Sequence, residues 1–301
     1  MTIRINHKPD ALSFVMESDS ATMAAHYRLP FFLRLSAKLL NIISKSLTTK
    51  FLWKIFAGPI KFKSPDRELG FYEKATKSMI TTSSERRVAI YRIPGDGRRL
   101  LFVHGWNGRS GQFSTLVDRL SNDGFDITAV DLPGHGNSDS GQTSLPQITD
   151  VLTEIAETNG PFDVLIAHSF GGVAGLNSIR LGANYQKVVL ISLGGYEVRP
   201  MFENFVGLFG LDKIYYADRL FELVETRFGV NPLEFGPSEF VDKIMTETLL
   251  VHCNHDLESK SDISIMVHEK MPNSQLYLTN NLGHRKLLGS AEVIQRIADF
   301  I

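Results

Sequence analysis

The sequence predicts an α/β protein, with a mostly parallel central sheet covered by helices on both faces. Two observations carry this. After Pro65, short apolar runs alternate with segments of helical spacing. Most of those runs are apolar throughout, not at every second position, as strands buried on both faces must be. Residues suited to chemistry then fall in the loops after the strands, where parallel sheets bind their ligands.

Taken in order, Arg87–Ile93 alternates and reads as a strand closed by the turn Pro94-Gly95-Asp96-Gly97. Leu100–His104 is the next strand, and Gln112–Leu120 has helical spacing. Strand Asp126–Asp131, helix Ile148–Glu157, strand Val164–His168 and helix Phe170–Arg180 follow. Strands are expected at Val188–Ser192, Leu249–Cys253 and Leu276–Thr279, with helices at Asp262–Lys270 and Glu292–Ile301.

Composition narrows the class. A chain of 301 residues, 43% hydrophobic and 22% charged, is an ordinary globular protein of one large domain or two small ones. A net charge of -1 gives no global reason to bind nucleic acid. One cysteine allows no internal disulfide and suits a reducing compartment. The first twenty residues lack the apolar core of a signal peptide, and no apolar run is long enough to span a bilayer. A cytoplasmic location is expected.

Charge is unevenly spread. From Ser20 to Pro65 there are eight basic residues and no acid. Arg34, Lys38, Asn41 and Lys45 share one helical face, while Leu35, Leu39, Ile42, Ile43 and Leu47 fall mostly on the other. Lys50–Ala57 forms a second short basic stretch. Two expectations follow: surface helices packed by their apolar faces onto the main domain, or helices in peripheral contact with an anionic membrane.

Ala167-His168-Ser169-Phe170-Gly171-Gly172, between strand and helix, has the form of a nucleophile elbow with alanine at the first small position. Such a turn lifts the Ser169 hydroxyl from the sheet edge and aims the Phe170 N–H at the reacting oxygen. Asp256 follows the strand ending at Cys253, and His284 follows the strand ending at Thr279. Nucleophile, acid and base thus occur in the order Ser169, Asp256, His284, with Glu258 and Asp262 as rival acids. His104-Gly105-Trp106-Asn107-Gly108-Arg109 follows another strand, and Trp106 is the expected second oxyanion donor. His104 and His135 read as loop architecture. His252, His255 and Asp256 cluster in sequence, but 252 and 255 point to opposite faces of a strand. No metal and no cofactor is expected.

HGW, DLPGHGNSD, AHSFGG, the Asp256 loop and Gly283-His284 together resemble the α/β-hydrolase superfamily over roughly residues 75–301. HGWNGR and the upstream FKSPDREL resemble, more narrowly, a bacterial group of serine α/β-hydrolases. The resemblance implies an α/β-hydrolase fold and an esterase-like activity with no defined substrate.

Between Tyr196 and Met245 the strand pattern stops, and seven of the twenty phenylalanines lie there. An inserted helical lid is expected at 196–245, with the hydrolase core at 66–195 and 246–301 and a basic helical extension at 1–65. Phe202, Phe205 and Phe209 are candidates to line a substrate pocket, or else form the lid's own core. Arg109 and Arg199 are candidates to meet an anionic substrate group. The leading function is a serine hydrolase acting on a small apolar ester or thioester. The alternatives are a membrane-surface lipase or lysophospholipase using the basic helices, and a non-catalytic binding scaffold.

Overall fold

A computed structural model describes residues 4–5, 29–195 and 197–301. Arg28, Tyr196 and most of the N-terminal twenty residues, on which parts of the extension, lid and leader expectations fall, lie outside the described residues.

The strands are β1 (Arg4–Ile5), β2 (Thr76–Thr81), β3 (Arg87–Ile93), β4 (Arg99–Val103), β5 (Asp126–Asp131), β6 (Val164–His168), β7 (Lys187–Ile191), β8 (Glu247–Cys253) and β9 (Ser274–Thr279). They form one sheet in the order β1-β9-β8-β7-β6-β4-β5-β3-β2. The six strands from β9 to β5 are parallel, and β1, β3 and β2 join antiparallel at the edges. The fold is the expected α/β-hydrolase architecture. Strand β2 was not anticipated: TKSMIT has no strong apolar alternation, and none of its side chains is fully buried.

Register decides where the loops meet. Val103 of β4 stands beside Val130 of β5 and Ala167 of β6. The loops beginning at His104, Leu132 and Ser169 therefore leave the sheet at one level. Cys253 of β8 pairs with Thr279 of β9, so the loops carrying Asp256 and His284 leave side by side.

The helices are α1 (Phe31–Ile43), α2 (Lys45–Phe56), α3 (Leu69–Lys74), α4 (Ser114–Asn122), α5 (Leu145–Thr158), α6 (Phe170–Arg180), α7 (Val198–Gly207), α8 (Lys213–Phe228), α9 (Asp262–Lys270), α10 (Gly283–Lys286) and α11 (Ala291–Phe300). Alternate residues of the central strands feed two cores, as period two requires. Leu101, Val103, Leu165 and Leu190 pack with α5, α6 and α9 on one face. Leu100, Phe102, Ile166 and Val189 pack with α4 and α11 on the other. Helix α5 starts one turn before the expected Ile148, because Pro146 is tolerated in a first turn that has no N–H partner to lose.

A third core lies apart from the sheet. Leu52 and Trp53 of α2 and Ala37 of α1 pack with Phe202 of α7, Tyr216 and Leu220 of α8, and Phe209 in the turn between them. The Phe56 ring meets Phe202 at 5.0 Å and Phe205 at 5.1 Å. The N-terminal helices therefore dock on the segment inserted after β7. Helix α1 docks by the face opposite to the expected one. Ala37 is fully buried, with Leu33 and Leu40 partly buried beside it, while Leu35, Leu39, Ile42 and Ile43 face outward.

Candidate active site

Ser169 sits between β6 and α6 with φ 53° and ψ -124°, a left-handed conformation that side-chain-bearing residues rarely adopt. The Ser169 amide donates to the Ile191 carbonyl at 2.9 Å, which anchors the turn to β7. The bend brings the following helix against β4. A Cβ on Gly171 would lie 2.3 Å from the His104 carbonyl oxygen and 2.7 Å from that of Val103, so no side chain fits there.

His284 lies at the start of α10, 115 positions after Ser169, and its Nε2 is 2.9 Å from Ser169 Oγ. Its Nδ1 is 2.7 Å from Asp256 Oδ2. An ionised carboxylate only accepts hydrogen bonds, so Nδ1 carries the proton and Nε2 is left to accept from the serine hydroxyl. The carboxylate is well held. Asp256 Oδ1 accepts from the amides of Glu258 and Ser259 at 2.8 and 2.9 Å. The rival acids lie elsewhere: Glu258 pairs with Arg285 at 3.1 Å, and Asp262 opens α9.

A second imidazole supports Asp256. His252 Nε2 is 3.3 Å from Asp256 Oδ2 and 2.9 Å from the Ser259 carbonyl, while Ser264 Oγ lies 2.7 Å from its Nδ1. Burial pushes the Asp256 carboxyl upward. Hydrogen bonds from His252 and His284, the His284 charge and the Ser259 amide outweigh this and hold it well below the usual carboxylate range. The i, i+4 spacing of His252 and Asp256 was the available signal. His255 is exposed, so the three residues of that sequence cluster do not converge.

His168, just before the serine, is a further unanticipated neighbour. Its Nε2–H donates to the His284 carbonyl at 3.0 Å, and Ser192 Oγ donates to the same oxygen at 3.1 Å. Burial, then the nearby His284 charge, lowers the His168 pKa to about 3, so its ring stays neutral. The two rings are 4.8 Å apart.

The remaining loops are tied together. His104 Nδ1–H donates to the Gly105 carbonyl, and its Nε2 accepts from the Leu132 amide at 3.0 Å. His135 Nδ1–H donates to the Pro133 carbonyl at 2.9 Å. Asp131 fixes both loops, because it accepts from the amides of Ser110 and Asn137, each at 2.7 Å. A Cβ on Gly136, which has φ 45°, would lie 2.1 Å from the same carboxylate. Gly105 lies against Ser169, where a Cβ on it would be 2.8 Å from the serine Cβ, and the rings of the adjacent Trp106 and of Phe170 meet at 5.3 Å in a T-shaped arrangement. No hydrogen-bond acceptor among the described residues takes the Trp106 or Phe170 amide.

Two expectations need correction. Arg109 is not available to a substrate: its Nε lies 2.5 Å from Glu68 Oε2 and its other nitrogen 2.8 Å from Oε1, in a buried bidentate pair. No local pattern around Arg109 points to this partner, 41 positions upstream. Phe202 and Phe209 are buried in the third core and serve helix packing, not a pocket wall, and the partly buried Phe205 packs against that core. Arg199 is half-exposed and pairs with Asp218 at 2.8 Å.

Residues 100–263 match a model described as the alpha/beta hydrolase family. A serine hydrolase-like protein from Danio rerio is 38% identical over 120 residues, 37% of this chain and 36% of that protein. A pimeloyl-[acyl-carrier protein] methyl ester esterase from Stenotrophomonas maltophilia is 38% identical over 86 residues, 29% of this chain and 32% of that protein. The chain thus spans about a third of the length of these curated relatives. An esterase from Exiguobacterium antarcticum superposes with a TM-score of 0.58 over 75% of this chain and 99% of that one, at 17% identity, a likeness of fold alone.

Proposed function

Since the chain belongs to the alpha/beta hydrolase family, its family model matching more than half of the sequence, we propose that it is a serine hydrolase cleaving a carboxylic ester or thioester through an acyl-enzyme. One observation carries the reading: a strained serine whose hydroxyl is 2.9 Å from an imidazole that is itself 2.7 Å from a buried carboxylate.

In this reading Ser169 Oγ attacks the substrate carbonyl carbon while its proton passes to His284 Nε2. Asp256 keeps the proton of the neutral imidazole on Nδ1 and stabilises the imidazolium. The amides of Trp106 and Phe170 receive the negative charge on the carbonyl oxygen, a contribution worth about 10²–10³ in rate per donor. Collapse expels the alcohol or thiol, which takes the proton from His284. Water then attacks the acyl-enzyme with His284 again as base, releasing the acid and restoring Ser169. The Trp106 and Phe170 rings beside the serine favour an apolar acyl group.

The segment 196–245 acts as a lid over a core formed by 66–195 and 246–301, and helices α1 and α2 of the extension at 1–65 pack against the lid helices. The separate core that α7 and α8 share with α1 and α2 supports this division. The single buried cysteine, Cys253, suits action in the reducing cytoplasm.

The test is a p-nitrophenyl ester series of increasing acyl length on the wild type and Ser169→Ala. The wild type should hydrolyse at least one medium-chain ester, and the variant should lose at least ~10³-fold in kcat/KM. Equal turnover by both proteins would remove Ser169 from the chemistry.

A further inference from the structure

Helix α1 is mounted with its larger apolar side outward. Phe31, Phe32, Leu35, Leu39, Ile42 and Ile43 are all exposed, Ile42 to 82% and Phe31 to 76%. At about 100° per residue, these six side chains occupy an arc of roughly 120°. Leu33, Ala37 and the partly buried Leu40 occupy the opposite side, where Ala37 and Leu33 pack into the third core. A continuous apolar stripe of this size on a short surface helix is not needed for packing, since a smaller face already does that.

The charge around the stripe identifies what fits it. Arg34 and Lys38 are exposed along one edge of the arc, and Lys45 stands just beyond its end. No carboxylate among the described residues forms an ion pair with any cation between 29 and 63. The sequence holds no acid from Ser20 to Pro65. A protein partner of ordinary composition has no need for so complete an exclusion of acids. A surface carrying fixed negative charge over an apolar interior does need it. No helix among the described residues is long and apolar enough to cross a membrane, so this helix would lie along one.

We propose that α1 docks in the plane of an anionic phospholipid surface, its apolar stripe in the acyl boundary and its basic edge among the headgroups. The attachment reaches the loops beside Ser169. Beyond α2 the chain runs through Ile60 and Phe62, both exposed, and the Ile60 amide donates to Asn107 Oδ1 at 2.7 Å, next to Trp106. A helix held at the lipid surface would thus keep the loop beside Ser169 close to it. The docking itself does not depend on catalysis.

The test uses the full chain carrying Ser169→Ala, so that no lipid is consumed, in flotation assays with equimolar phosphatidylglycerol–phosphatidylcholine vesicles and with phosphatidylcholine alone. Binding to the anionic vesicles is expected, weakening as salt is raised. Leu39→Ser/Ile42→Ser/Ile43→Ser should weaken it at least about tenfold with an unchanged thermal midpoint, because these side chains are exposed already. Arg34→Glu/Lys38→Glu should abolish the preference for anionic lipid. Failure of the parent chain to float at low salt would overturn the proposal. So would equal flotation of the triple variant, or a dimer in solution that the triple variant dissociates with no lipid binding by either protein.

Discussion

Replacing Gly171 by alanine should displace the elbow that carries Ser169. The new Cβ would lie 2.3 Å from the His104 oxygen and 2.7 Å from the Val103 oxygen, against an ordinary contact that begins at 3.4 Å. The shortfall is 3.4 minus 2.3, or 1.1 Å, and both obstacles are backbone. Neither gives way easily, because Val103 is held between β5 and β6. Relief by moving α6 costs about 1–3 kcal/mol as overpacking, partly offset by the better helix propensity of alanine, about 1 kcal/mol. The catalytic effect should be larger than the stability effect, since a misplacement of about 1 Å at a reacting group can cost about 10²-fold. Urea unfolding and kcat/KM on a p-nitrophenyl ester should be measured together. Gly70→Ala is the control, because a Cβ there meets nothing within 4 Å. A Gly171→Ala enzyme with native stability and full turnover would refute the claim that this close approach sets the position of the serine.

Two further outcomes follow from buried groups. Glu68→Ala leaves the Arg109 guanidinium buried without its partner and should cost about 3–5 kcal/mol, with much of that recovered by adding Arg109→Met. An unchanged thermal midpoint in the single variant would contradict this. Burial first of all holds His104, His135 and His168 at pKa values of about 4, 3 and 3, below the roughly 6.5 of the unfolded chain. Between those limits the unfolded state binds more protons, so stability is full above about pH 6.5 and falls as pH drops through the window. The loss is on the order of 1 kcal/mol per pH unit for each imidazole. Urea midpoints at pH 7 and pH 5 should show it, and a midpoint that rises on acidification would argue that these rings are charged in the folded protein.

Much of the site was legible because it depends on local chemistry. The elbow needs small residues around Ser169, and Ala167 and Gly171 stand where the strand-to-helix turn demands them. Asp256 and His284 could be picked out because each follows an apolar run, and a parallel sheet gathers such loops at one edge. What stayed hidden depends on distant partners. Nothing near Arg109 announces Glu68, and nothing in the phenylalanines of α7 tells a pocket wall from a helix core. For α1 the difficulty was physical. A helix with apolar residues on most of its surface can bury either side, and which one docks is decided by the shape of its partner. Here the small Ala37 permits close approach to α7 and α8, and the larger residues are left outside.

The central claim is that the Ser169 hydroxyl is made nucleophilic by His284. Its most direct measurement is covalent labelling with a fluorophosphonate probe, read by intact mass and peptide mapping. One adduct on Ser169 is expected in the wild type, none in Ser169→Ala, and slow labelling in His284→Ala. A wild-type protein that takes up no probe, or takes it up at another residue, would contradict the account.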